Sequence, residues 1–231
     1  MNNVRLDFQH KLQALEGDVI RLGSMVDEAI ANAIKSLEEG DLALAQQVVR
    51  NDEAINRLRY YIEEHGSALI ATQQPLARDL RTIIAAMYVA TNLERMADHA
   101  AGVARLTLRL ARTPRTDLLP QFRQMADVGR EMLNQSLEAF IHHNADLAHD
   151  VAARDDEVDE LYNVIFQAMI RHMIENPEQV QSATYLLWVA HNLERVGDRV
   201  TNICERVIYM VTGELMEFVD DRSDRDLTAL K

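Results

Sequence analysis

The chain has 231 residues, room for one large domain or two small ones, and its 48% hydrophobic and 26% charged content is that of an ordinary protein with a packed core. A net charge of −13 disfavours nucleic acid and anionic membrane surfaces as direct partners and favours cations or basic surfaces. One cysteine, Cys204, excludes an internal disulfide and fits a reducing cytoplasm, while scarce glycine (8), proline (4) and aromatics (5%) argue against a turn-rich sheet protein.

Met1 to Lys11 is polar with no apolar run behind it, so no secretory leader is expected. The longest uncharged stretch, Gln179 to Leu193, is too short and too polar to span a bilayer. The few breakers then divide the chain into six helices. The first runs from about Val4 to Glu39, with Gly40 suited to its C-terminal cap and Asp41 to the next N-cap. The second runs from Leu42 to about Ala71 and turns at Gln73-Gln74-Pro75. The third runs from Leu76 to about Arg112, where Thr113-Pro114-Arg115-Thr116 breaks it. The fourth spans Pro120 to His143, and Asn144 caps a fifth that is expected to run unbroken to about Glu175. Asn176-Pro177 turns the chain into a sixth helix ending near Thr212, before Gly213. Apolar residues recur at spacings of three and four, as in Leu80, Ile83, Met87 and Ala90, or Val180, Leu187 and Ala190, giving one packed face per helix.

The halves repeat. Val89 to Asp98 and Val189 to Asp198 agree at seven of ten positions at an offset of 100, and both contain Asn-Leu-Glu-Arg-x-x-Asp. An offset of 103 lays Asp52-Glu53-Ala54-Ile55-Asn56 over Asp155-Asp156-Glu157-Val158-Asp159, and the capping Asp41 over Asn144. The fold expected is all-α: two tandem three-helix bundles over residues 1–116 and 117–213, followed by an acidic, frayed tail over 214–231.

Glu94 and Asp98 lie one turn apart on one helix face, as do Glu194 and Asp198, and like charges so spaced oppose helix formation by about 0.2–0.5 kcal/mol. A lone pair of this kind in an acidic helix is usually a solvated face. Here each Glu continues a packed stripe, seven residues after Met87 or Leu187. Each pair also has a counterpart across its hairpin. Residues 54 and 96 are equidistant from Pro75, and 157 and 196 from the Asn176-Pro177 turn, so Asp52 and Asn56 face Glu94 and Asp98, and Asp155 and Asp159 face Glu194 and Asp198. Carboxylates converging at a helix contact repel and lose hydration, which hard cations such as Mg²⁺, Mn²⁺ or Fe relieve. Asn56 ligates only through a neutral amide oxygen, so the first site is expected to be the weaker.

Elsewhere the expectations are plainer. His99 and His191 read as neighbours of the motifs, Arg95 and Arg195 as partners of the adjacent carboxylates, and Tyr88 and Trp188 as core residues. The chain contains no Gly-rich phosphate loop, His-Glu-x-x-His, Cys-x-x-Cys or nucleophile elbow, so no catalytic residues are assigned and the chain is not expected to be an enzyme. A carboxylate-bridged metal oxidase or iron-storage bundle is the alternative, with the missing Glu-x-x-His pairs against it. An empty structural bundle is a third reading.

The paired Asn-Leu-Glu-Arg-x-x-Asp segments, Gln74-Pro75-Leu76-Ala77-Arg78-Asp79-Leu80-Arg81, and the run from Glu194 to Cys204 resemble the PhoU family, in that family's order, from about Phe8 to Gly213. The resemblance implies two three-helix bundles whose acidic motifs bind metal, iron or zinc in some members and magnesium or manganese in others. It also implies a cytoplasmic homodimer that restrains phosphate uptake and the phosphate-starvation response, acting between the phosphate ABC transporter ATPase and a sensor histidine kinase. By matching position it makes Glu94, Asp98, Glu194, Asp198, Asp52, Asp155 and Asp159 metal ligands, and Asn56 departs from the fully acidic pattern.

Overall fold

Local capping rules place the helix ends where the breakers stand. In a computed structural model that describes residues 2–111 and 119–218, the helices are α1 Asn2–Glu39, α2 Leu42–Gln73, α3 Arg78–Arg109, α4 Leu119–His142, α5 Ala145–Ala152, α6 Asp155–Glu175 and α7 Val180–Thr212. A short 3-10 turn, Pro177–Gln179, leads into α7, and the described residues contain no strand. The predicted linker at Thr113 to Thr116 lies outside the described residues, as does the predicted tail beyond Phe218. None of the described helices is long and apolar enough to cross a membrane.

The repeat is visible in the caps. The Asp41 carboxylate accepts from the N–H groups of Ala43 and Leu44 at 2.9 and 3.0 Å, and the Asn144 amide oxygen accepts from Leu147 N–H at 3.0 Å. Each satisfies donors that a helix start leaves orphaned. Before each cap the chain turns through the left-handed region, at Gly40 (φ 66°) and at its counterpart His143 (φ 50°). Glycine adopts that conformation freely, whereas a histidine is strained there.

One predicted element is corrected. The fifth helix is two, since α5 ends at Ala152 and α6 begins at Asp155. At the break, Arg154 reaches back to Glu131 and Gln135 of α4, at 3.1 and 3.2 Å, and forward to Glu157 at 3.0 Å. The restart places Asp155, Asp156 and Glu157 in a first turn, where the positive end of the helix dipole stabilises carboxylates. At the same register the first half has Arg50 and Asn51, and α2 passes straight through.

α1, α2 and α3 form one bundle, and α4, α5/α6 and α7 the other. Their axis of assembly is an antiparallel α3–α7 seam. Along it Arg81 Nε donates to the Met210 carbonyl (3.2 Å), Arg206 lies 3.9 Å from the centre of the Tyr88 ring, and His99 Nδ1 sits 3.1 Å from Asn192 Oδ1. Met96 and Val196, at matching positions of the repeated motif, are both buried, Val196 beside Gly129 of α4. A second contact joins α1 to α4 through a two-pronged Asp27–Arg130 pair (2.9 Å at each prong) and an ion pair between Glu38 and Arg123. The two bundles thereby share one continuous core.

That sharing alters the single-stripe expectation. α3 buries residues around much of its circumference, from Thr82 to Thr107, because it packs against its own bundle and against α7. Val180, expected on the packed stripe, is exposed. Trp188 is also not core: it is 48% exposed and tilts against Tyr185, 5.7 Å away. Tyr88 is half-buried under Arg206. Both aromatics sit at the margins of the seam, where a flat ring covers apolar surface and keeps one face toward solvent or a guanidinium.

Candidate metal centres

The motif residues divide their work by helix face. Leu93, Met96 and Ala97 of α3, and Leu193, Val196 and Gly197 of α7, are buried, while the acidic side chains emerge beside them at the contact with α2 or α6. Burying one leucine or isoleucine contributes about 1.5–3 kcal/mol, several times the repulsion of a like-charge pair on a helix, so packing holds the carboxylates together despite their charge.

In the first half, Asp52 of α2 and Glu94 and Asp98 of α3 lie in one another's field. Burial, then the charge of Asp98, raises the Asp52 carboxyl above its ordinary range, while Arg105 and Asn56 oppose the rise. Asp52 Oδ1 is buried without a hydrogen bond, and Oδ2 accepts from the Asn56 amide at 3.4 Å. Glu94 is raised by burial and then by Asp98, against the charges of Arg59 and Arg95.

The second half gathers more acid. Asp155 opens α6 and is pushed up to about 7, first by burial and then by Asp159, Asp198, Glu194 and Asp156. Glu194 is raised by burial, against Arg195, with Asp198 adding to the rise. Its Oε2 lies 3.1 Å from His191 Nδ1 and 3.3 Å from Arg195 Nε, yet neither approach has hydrogen-bond geometry and this buried oxygen is left unsatisfied. Arg195 Nη1 donates instead to Asp198 at 2.7 Å. Asp155, Asp159, Glu194 and Asp198 together line an open cavity of about 420 Å³. The hairpin register read from the sequence therefore brings together the residues it named in each half. His99 belongs to the α3–α7 seam, bonded to Asn192, and burial lowers its basicity.

Several contributors escaped the sequence reading. A methyl group on Gly197 would come within 2.7 Å of Asp155 Oδ1, so the glycine makes room for that carboxylate where the first half has Ala97. The mismatch between otherwise matching motifs was the available signal. Glu205 also lines the cavity, seven residues beyond Asp198 on the same face. It accepts the Phe218 N–H at 2.7 Å, and Phe218 packs edge-on against His149, 5.5 Å between centroids, at the cavity's rim.

A hard cation fits this chemistry. The donors are carboxylate oxygens, one oxygen in each half is buried without a hydrogen bond, and burial and crowding of carboxyl groups in the second cluster hold Asp155 partly protonated near neutral pH. As they stand, no three His, Cys, Asp or Glu side chains among the described residues are gathered closely enough to hold one ion, so coordination of a cation would require side-chain rotation.

The PhoU domain family model matches the chain twice, at residues 19–107 and 122–207, once in each bundle. A relative from Clostridium acetobutylicum, named a phosphate-specific transport system accessory protein PhoU homolog, is 36% identical over 92% of this chain and 98% of its own length. One of the same name from Caulobacter vibrioides is 36% identical over 90% of each chain. The crystal structure of the phosphate transport system regulatory protein PhoU from Streptococcus pneumoniae superposes with a TM-score of 0.85 at 33% identity, covering 91% of this chain and all of that one. Two family domains, relatives matched over nearly their whole length and a shared tertiary structure lead to one conclusion: the chain belongs to the PhoU family.

Proposed function

We propose that this protein is an accessory regulator of phosphate transport that restrains uptake and the phosphate-starvation response when phosphate is plentiful. The observation that carries this is similarity over nine-tenths or more of both chains to proteins named as phosphate-specific transport system accessory proteins. The partners proposed are the ATPase of a phosphate ABC transporter and a sensor histidine kinase, reached in the cytoplasm by a homodimer. The role is regulatory rather than catalytic. Deleting the gene in its native cell should switch on phosphate-starvation genes in phosphate-rich medium; continued repression there would sink the assignment.

The acidic clusters give the regulator a cation requirement in this reading. Asp155, Asp159, Glu194 and Asp198 would hold a hard cation in the second half, and Asp52, Glu94 and Asp98, with the Asn56 amide oxygen, a weaker one in the first. Such an ion supplies charge neutralisation between two helices otherwise held apart by their carboxylates. The chain's own part is to present the ligands at the helix contact and to leave room for Asp155 opposite Gly197. Elemental analysis of purified protein tests it: the double variant Glu94→Gln, Glu194→Gln should lose bound metal, and unchanged metal content would refute the site.

A further inference from the structure

The two clusters share a helix framework but not a charge balance. In the first half Gly66 of α2 lies against Met87 of α3, and Asp52 lies within the field of Asp98. Arg59, between Asp52 and Gly66, therefore stands level with Glu94, and its charge acts on that carboxylate. Its side chain is only 19% exposed. Nη1 donates to Glu63 at 2.7 Å, outside the cluster, while Nε is buried and without a hydrogen-bond partner.

At the offset of 103 that aligns α2 with α6, Arg59 corresponds to Tyr162. In the second half Gly197 packs against Asp155 and Val158, so Tyr162, one turn beyond Val158, stands level with Glu194 and feels its charge. The position beside the motif glutamate is thus a cation in one half and a neutral phenol in the other. Two further differences point the same way: neutral Asn56 stands where the second half has Asp159, and Arg105, acting on Asp52, stands where it has Glu205. Arg199 in place of His99 and His191 in place of Thr91 return part of that positive charge to the second cluster.

We propose that Arg59, seconded by the more exposed Arg105, is a built-in counter-cation that occupies electrostatically the role of a metal at the first cluster, so that the chain takes its hard cation at the second cluster in preference to the first. This rests on the cation-binding reading above. Arg59 is a specificity-determining residue in this scheme: it touches no metal, but a fixed positive charge beside Glu94 repels a divalent ion more strongly than it repels a monovalent one.

The test uses the full chain, stripped with chelator and titrated with Mn²⁺ by calorimetry, with free Mn²⁺ counted by electron paramagnetic resonance. Wild type should show one tight site. Removing it with Asp155→Asn and Glu194→Gln should leave only weak binding. In that background Arg59→Tyr should tighten the remaining site at least about tenfold, and Arg59→Met should do the same, because both remove the charge. Arg59→Lys should leave it weak. In the otherwise wild-type chain Tyr162→Arg should weaken the tight site by about tenfold. Helical circular dichroism identifies any variant that does not fold, and either neutral replacement is then sufficient. No tightening in a folded neutral variant overturns the proposal, as do two equally tight sites in wild type. If no form of the chain binds Mn²⁺, the cation-binding reading itself fails and this inference with it, a result distinct from wild-type binding that ignores Arg59.

Discussion

The two halves share one helical plan and one acidic motif, and around that motif a few of their differences have a definable physical effect. α2 is continuous through Arg50 and Asn51, while its counterpart breaks at Ala153 and Arg154 and restarts on three acids. Gly197 leaves space for Asp155 where the first half has Ala97. The first cluster has Arg59 and Arg105 for neighbours, the second Tyr162 and Glu205. A duplicated backbone thus preserves where carboxylates stand, and single substitutions around them set how strongly they call for a cation.

The largest effect expected in breaking that symmetry is on metal uptake. Asp159→Asn with Asp198→Asn should weaken Mn²⁺ binding by about 100-fold, since a divalent ion is held mainly by ligand charge, whereas Asp98→Asn should leave the tight site within about twofold. Calorimetry separates the two outcomes, and equal losses would make the halves equivalent. Next comes Gly197→Ala. Alanine favours a helix interior by about 0.5–1 kcal/mol, but here its methyl displaces the Asp155 carboxylate, so thermal stability should change little while Mn²⁺ affinity falls by about tenfold. Gain of stability with unchanged affinity would show that Asp155 is not a ligand.

A smaller effect is on the pH dependence of stability in the presence of chelator. Asp155 keeps its proton in the folded chain up to about 7, whereas in the unfolded chain it loses it near 3.8. The folded state binds more protons across that window, so this contribution to stability is full below it and is lost as pH rises through about 7. Thermal melts should therefore fall from pH 5 to 8 less steeply in Asp155→Asn than in wild type, and parallel curves would contradict the burial of this group. The smallest effects lie at the caps. Asp41→Ala and Asn144→Ala should each destabilise by about 1 kcal/mol, and His143→Gly should stabilise by up to about 1 kcal/mol while Gly40→Ala does the reverse. Chemical denaturation resolves these differences, and a destabilising His143→Gly would mean that the side-chain contacts of His143 outweigh its backbone strain.

Much of the fold was legible because it follows from local rules. Gly40, Asp41, Pro75, Asn144, Pro177 and Gly213 stop or start helices whatever surrounds them, and counting from a hairpin turn is enough to place Asp52 beside Asp98. The structure departs from those local rules where neighbours from other helices decide. Arg154 stabilises a break through partners on α4, and Trp188 stays half-exposed against Tyr185 instead of entering the core.

By itself, then, the sequence determined an all-helical duplicated chain, its principal turns and the pairing of acidic residues across each hairpin, because capping chemistry and helix rise act over short stretches of chain. Only the tertiary structure decided that α3 and α7 cross antiparallel, that Asp155 packs half-buried against Gly197, and that Arg59 and Tyr162 each stand within the field of a motif glutamate. Desolvation and charge act through space, and the groups that set them here lie on different helices, tens of residues apart in the chain.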